Sequence, residues 1–280
     1  MYDVIIIGGG AGGLPIFDKI FKSGLNVLLI EQGSLLGKDQ IFPISDGGEL
    51  QRYTTLNVNP NIRNLHSDIP IDCSKSQIAL ANYNGLGGST VLFSSQYLRF
   101  KSYDFKINSE FGCGYDWPLS YQDLLPFYVQ NELNTGLAGL RGDPHYPDVS
   151  PNMPPVILGD LGRTLAKGFD KLDWHWWPAY SALNTIPYHG RPSDGYERPT
   201  NLADITGSKG SADNVYLTPF NSDYVSKKNK ILESSRALSL VVDDKTKRIT
   251  HVRCVNLHPK KFFTLESKVF VVSAGSVYTP

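Results

Sequence analysis

Apolar residues of this chain gather in short continuous runs near its beginning and again towards its end, with a long turn-rich stretch between. The first run lies in YDVIII, Tyr2 to Ile7; it is β-branched, of strand length, and stops at Gly8. Phe17, Ile20 and Phe21 then recur at helical spacing and Gly24 follows, which predicts a helix closed by a glycine. Val27-Leu28-Leu29-Ile30, ending at Glu31, predicts the next strand. Residues 33 to 83 show little periodicity and many turn formers, Gly47-Gly48 and Asn59-Pro60-Asn61 among them. Thr90 to Phe93 reads as a short strand behind a glycine turn.

Further along, Ser120 with Asp123 three residues on predicts a capped helix whose apolar face is Leu124, Leu125, Tyr128 and Val129. Pro126 is expected to kink or divide it. Residues 140 to 156 form a Pro/Gly/Asp-rich connection, and Gly162 to Leu172 reads as an amphipathic helix. Trp174-His175-Trp176-Trp177 predicts a strand; its aromatics suit sheet packing or a sugar-stacking platform. Lys227-Lys228-Asn229-Lys230 reads as a solvated turn. From Ile231 the pattern is strand-like throughout, in ILESS, ALSLVV, ITHVRCV, FFTLE and KVFVVSAG, with turns at DDKTKR and HPKK.

The glycines after the first strand carry the chemistry. Gly8, Gly10 and Gly13 have the GxGxxG spacing, between a strand and a helix. In that setting the first allows a tight turn, the second lets a pyrophosphate approach the backbone, and the third lets the helix pack against the strand. The helix N-terminus then offers free N–H groups and a positive dipole end to phosphate. Glu31, at the end of the second strand, can accept hydrogen bonds from both ribose hydroxyls and would repel a 2′-phosphate. Pro15 sits near the end of the first helical turn, where it removes one N–H and delays or kinks the helix. These features predict a dinucleotide and leave FAD and NAD open.

Composition narrows the partners. Lys plus Arg number 27 and Asp plus Glu 27, so no global field recruits nucleic acid or an anionic membrane. Hydrophobic residues make up 41% and charged residues 19%, as in a folded globular chain long enough for one large or two modest domains. The three cysteines, Cys73, Cys113 and Cys254, are far apart, so neither a disulfide framework nor a zinc site is expected, and no metal is. The run Val4 to Ile7 lacks a basic leader and is too short for a signal or a membrane span. A cytoplasmic location is the default expectation; export with a partner that carries the signal stays open.

Three further stretches carry a resemblance. NGLGGSTVLFSSQYLRF (residues 84 to 100), YDWPLSYQDLLPFYVQNE (115 to 132) and the terminal SAGSVYTP follow the GxGxxG in the order found in the glucose-methanol-choline (GMC) oxidoreductases. The likeness is greatest to the gluconate, fructose and sorbitol dehydrogenase flavoproteins and to pyranose oxidases. It implies an α/β fold: a Rossmann-like FAD-binding domain with a β-meander, plus part of a substrate domain. The implied boundaries are 1–110 for the first part of the FAD domain, 111–205 for an insertion in the substrate or cap region, and 206–280 for the return. It also implies that Gly275-Ser276-Val277-Tyr278-Thr279-Pro280 opens a longer helix, so the chain reads as a truncated amino-terminal portion.

FAD is the cofactor implied, held by Gly8, Gly10, Gly13 and Glu31 at its ADP half. Gly87, Gly88, Ser89 and Thr90, together with Ala274, Gly275 and Thr279, would lie near the pyrophosphate or the flavin ring. Ala237 matches a position whose backbone contacts adenine in relatives. Leu92 stands where pyranose oxidases attach FAD through a histidine, so non-covalent FAD is expected, and Phe93 replaces the usual Asn or His. Residues 189 to 214 lack the cysteines common in gluconate-type subunits. The implied reaction is oxidation of a CH–OH group of a sugar, polyol or sugar acid, with hydride passing to flavin N5. The base is an imidazole from the carboxyl-terminal half, with His175 and His189 as substitutes within this chain. A cytochrome or small subunit is the partner the likeness suggests. A non-catalytic FAD-binding fragment and, less favoured, an NAD-dependent dehydrogenase are the alternatives.

Overall fold

A computed structural model describes residues 1–36, 53, 56–195, 203–204, 206–217 and 223–279. Gly47-Gly48, part of the cysteine-free stretch and Pro280 lie outside the described residues. The first two apolar runs form β1 (Tyr2–Ile7) and β2 (Val27–Ile30), paired in parallel with Val4 opposite Val27 and Ile7 opposite Ile30. Their side chains supply two cores. Val4, Ile6, Val27 and Leu29 pack with Leu14 and Phe17, whereas Ile5, Ile7, Leu28 and Ile30 pack with Val252 and Cys254. Covering on both faces is why the runs are continuous rather than alternating.

Helix α1 (Gly13–Lys22) begins directly after the glycine turn, and Gly24 follows its end with φ of 81°. Pro15 is its third residue, so the missing N–H is one of those that no helical carbonyl would accept. The proline neither delays nor kinks the start, because a fixed φ is already helical there.

Between β2 and the glycine turn at 85–88, the described residues include the short helix Pro60–Arg63 amid turns and bends, as the irregular pattern predicts. The expected strand at Thr90 to Phe93 is absent; Gly88–Val91 is a 3-10 turn instead. Gly87 and Gly88 both have positive φ, and the Thr90 hydroxyl bonds back to the Gly87 carbonyl, which curls the chain before it can extend.

The two compact units are Met1–Ser94 with Arg198–Gly207 and Ser211–Pro280, and Ser95–Glu197 with Ser208–Gly210. In the second unit, α2 (Tyr121–Thr135) starts at the predicted Ser120–Asp123 capping box and is not divided at Pro126. Val129 is exposed rather than part of the inner face. That face is completed by Glu132, which meets Arg99 in a bidentate pair with both bonds 2.5 Å long. Arg99 also donates to the Tyr121 hydroxyl at 3.0 Å. Helix α3 (Asp160–Lys171) follows.

The tryptophan run after it is not a strand: the Trp176 indole N–H donates to Asp170, the Trp177 indole N–H donates to the Leu140 carbonyl, and Trp174 stacks on Phe169. Side-chain partners of different kinds, not a ladder, hold these residues.

The first unit resumes with α4 (Ala212–Tyr216) and α5 (Tyr224–Lys228). Lys227, expected in solvent, is fully buried. Its ammonium lies 2.5 Å from one Asp18 oxygen and 3.0 Å from Asp223, because α5 turns this lysine towards α1. Strands β3 (Ile231–Leu232), β4 (Ser235–Val242), β5 (Ile249–Leu257) and β6 (Lys260–Val272) complete a six-stranded sheet of order β3-β2-β1-β6-β5-β4. FFTLE and KVFVVSAG belong to one strand. Its first part pairs antiparallel with β5, and from Ser267 it runs parallel to β1. No glycine or proline interrupts Glu266-Ser267-Lys268, so the meander feeds straight into the central sheet. Helix α6 (Gly275–Tyr278) follows the last strand.

Candidate functional site

The carboxyl ends of β1, β2 and β6 open on a cavity of about 1110 Å³. Its floor is two glycine turns that interlock. Gly13 lies so close under the first turn that a Cβ would stand 1.8 Å from the Gly8 carbonyl oxygen, which no larger residue permits. Gly87 donates its N–H to the Gly9 carbonyl at 2.8 Å, and a Cβ on Gly88 would lie 2.8 Å from the Gly10 Cα. The second turn is thus seated on the first by backbone contact.

Glu31 joins the same assembly. Its carboxylate accepts the Gly9 N–H at 2.7 Å and the Gly33 N–H at 3.1 Å, and the residue is buried. Burial pushes its carboxyl above the usual range, against the opposing pull of the N–H groups of Gly9, Gly33 and Gln32. Each oxygen keeps lone-pair capacity beyond these bonds.

The two hydroxyls of the GGST turn divide the work. Thr90 donates to the Gly87 carbonyl at 2.5 Å and accepts the Ala212 N–H at 2.9 Å. Its hydroxyl ties the turn to α4. Ser89 makes only long bonds, at 3.3 Å from the Tyr83 N–H and 3.4 Å to Asn82, and its residue is exposed.

Of the expected site residues, Gly8, Gly10, Glu31, Gly88, Ser89 and Thr90 line this cavity. Ala237, Ala274, Gly275 and Thr279 line it too. Gly13 and Gly87 do not; they stand behind the lining and set its shape. His175 and His189 belong to the second unit and do not line it, and neither do Leu92 and Phe93. Leu92 is packed with Leu56, Tyr83 and Val91.

Lining residues beyond those expected include Gln32, Asn82, Tyr83 and Arg236. Gln32 and Arg236 adjoin predicted positions in sequence, which is a usable signal; Asn82 and Tyr83 come from the irregular stretch and carried none. Glu31 is the one acidic and Arg236 the one basic residue among the described residues of the lining. The three cysteines are free, and burial pushes the Cys254 thiol up to about 11. Among the described residues no cluster of three metal-ligating side chains is present, and no helix is long and apolar enough to cross a membrane.

Known proteins with similar sequences include the 2-methyl-1,2-propanediol dehydrogenase of Mycolicibacterium austroafricanum, 30% identical over 99% of this chain and 50% of its own length. The fructose dehydrogenase large subunit of Gluconobacter japonicus is 27% identical over 99% of this chain and 53% of its own. The chain therefore spans about half the length of the curated relatives it matches. Among solved structures, pyridoxine 4-oxidase from Mesorbium loti superposes with a TM-score of 0.60 at 16% identity, over 99% of this chain and 50% of that one. That likeness bears on the fold. The family model described as GMC oxidoreductase matches residues 2–280, and the chain belongs to the GMC oxidoreductases.

Proposed function

We propose that this chain is the FAD-holding portion of an oxidoreductase acting on the CH–OH group of a sugar, polyol or sugar acid. The observation that carries the reading is the pair of interlocked glycine turns beneath one cavity, with the Glu31 carboxylate at its edge. The residues fit the cofactor in three respects. The cavity volume, about 1110 Å³, lies just above the usual range for small-molecule sites, roughly 300–1,000 Å³, as a large two-part cofactor needs. Helix α1 has no side-chain cap and no acidic residue in its first turn; the Leu14 N–H is taken by the Gly10 carbonyl at 3.0 Å and Pro15 has none, so the N–H groups of Gly12 and Gly13 are the ones a phosphate would meet. Glu31 retains acceptor capacity for the ribose hydroxyls.

Bound there, FAD would supply the two-electron acceptance that alcohol oxidation requires. The chain's own residues bind and orient. Gly8, Gly10 and Gly13 bring α1 up to the pyrophosphate, Glu31 holds the ribose, and Ala237 lines the adenine end. Gly87, Gly88 and Thr90 fix the second turn, with Ser89 offering the freer hydroxyl. Ala274, Gly275 and Thr279 line the same cavity, with Ala274 directly beside Gly8. Leu92, buried where pyranose oxidases carry their linking histidine, supports a dissociable cofactor.

The test is reconstitution of the purified chain with FAD. A flavin spectrum that acid precipitation releases into the supernatant is expected; flavin retained in the pellet would refute non-covalent binding, and no flavin uptake would sink the reading. Supplied with the remaining half of the protein, the flavin should bleach anaerobically with a polyol. The half-length span relative to the relatives favours a second reading for these 280 residues, FAD binding without turnover. It predicts flavin uptake by the chain with no bleaching by any alcohol. A cytochrome or small subunit as electron-transfer partner is proposed from the likeness to a protein named as a large subunit.

A further inference from the structure

The wall of the cavity beside Glu31 carries one cation, Arg236, on β4 immediately before Ala237. The start of β4 is fastened to the carboxyl end of β2: the Ser235 N–H donates to the Glu31 carbonyl at 3.0 Å. The guanidinium is fastened as well. Its Nε donates to the Gln32 side-chain oxygen at 2.9 Å and its Nη2 to the Ser67 carbonyl at 3.2 Å. A guanidinium has five N–H donors, so these two bonds fix its plane and leave the other donors unspent. Both tethers are neutral oxygens, so no carboxylate cancels the charge through them.

We propose that Arg236 is a specificity-determining residue of the nucleotide end, presenting a pre-oriented planar cation to the adenine ring while Glu31 takes the ribose. The inference rests on the FAD reading above. Three considerations favour adenine over phosphate. Arg236 adjoins Gln32 and Ala237, at the ribose and adenine end, whereas the pyrophosphate is expected at the start of α1. A flat guanidinium held at one edge by side-chain and backbone oxygens suits stacking on an aromatic face. The α1 N-terminus already answers the phosphate charge. Gln32 is then a positioning residue that keeps the guanidinium in plane.

The experiment titrates the full 280-residue chain with adenosine, AMP, ADP and FMN, comparing wild type with Arg236→Ala, Arg236→Lys and Gln32→Ala. Arg236→Ala should weaken adenosine, AMP and ADP by the same factor, about fivefold, and leave FMN unchanged. Arg236→Lys keeps the charge without the plane and should recover only part of that loss. Gln32→Ala should weaken the adenosine series about twofold. A loss confined to the phosphorylated ligands would overturn the proposal, as would equal affinities in wild type and Arg236→Ala. If the wild-type chain takes up none of the adenosine series, the FAD reading fails and this proposal with it. Should Arg236→Ala not fold by circular dichroism, Arg236→Lys and Gln32→Ala decide the matter, and no change in either refutes it.

Discussion

The glycine-turn region of the first unit and the Arg99–Glu132 region of the second are both rich in polar groups, yet they are held by opposite means. Around Gly8–Gly13 and Gly85–Thr90 the contacts are backbone on backbone, and the absence of side chains makes the fit. Around Arg99 the contact is side chain on side chain, with the arginine 3% and the glutamate 5% exposed. Bidentate geometry and the Tyr121 hydroxyl satisfy the charges there, and Tyr128 lies under the guanidinium at 5.7 Å. A backbone-built site leaves N–H groups and open wall for a ligand. A pair that satisfies itself leaves nothing over, which suits the second region to architecture and the first to a ligand.

This contrast can be broken in order of expected effect. Gly13→Val should be the most damaging change, since its side chain would occupy the space of the Gly8 carbonyl. The expected outcome is loss of cooperative unfolding and of FAD uptake; a folded, flavin-binding Gly13→Val protein would refute the backbone-fit account. Glu132→Ala leaves Arg99 buried without its partner and should cost about 3–5 kcal/mol. Hydrogen exchange should locate that loss in the second unit, and exchange that quickened equally in β1 and β2 would erase the distinction.

Thr90→Val removes one donor and one acceptor, leaving the Ala212 N–H and Gly87 carbonyl without this hydroxyl; about 1–3 kcal/mol of stability should go. Weaker FAD binding should accompany it, while Thr90→Ser keeps both bonds and most of the affinity. If Thr90→Val binds FAD as wild type does, the weld to α4 does not shape the site.

Glu31 gives the smallest signal, read in pH. Burial raises its folded pKa above the unfolded value, so this group's relative contribution to stability is greatest below the unfolded pKa and is lost as pH rises through the folded one. Glu31→Gln removes the titration. The melting-temperature difference, variant minus wild type, should therefore grow as pH rises through that window, beyond any constant offset from the amide. A flat difference would show that the N–H groups of Gly9 and Gly33 balance burial, and a shrinking one that they outweigh it.

Much of the first unit is legible in the residue order because its causes are local. An unbroken apolar run can serve two cores at once, and the strand–glycine–helix spacing leaves few other arrangements for residues 2 to 31. The Ser120 capping box is equally local, with donor and acceptor three residues apart. Two expectations fail where a partner lies far along the chain. Lys227 looks like solvent-facing punctuation until α1 brings Asp18 to it. Thr90 looks like a free hydroxyl until Ala212 arrives from 122 positions away. The tryptophan run alternates like a strand but takes its bonds from Asp170 and Leu140 instead.

By itself, then, the sequence determined the α/β opening, the strand–glycine–helix turn with Glu31 behind it, and the meander's return towards the sheet. These follow from periodicity and from which residues can take positive φ. Only the tertiary structure decided that the two glycine turns interlock, that Thr90 is spent on architecture while Ser89 is freer, and that Arg236 is the one cation among the described residues of the cavity wall. Each of those depends on close approach between segments some 80 to 200 positions apart, which no local pattern encodes.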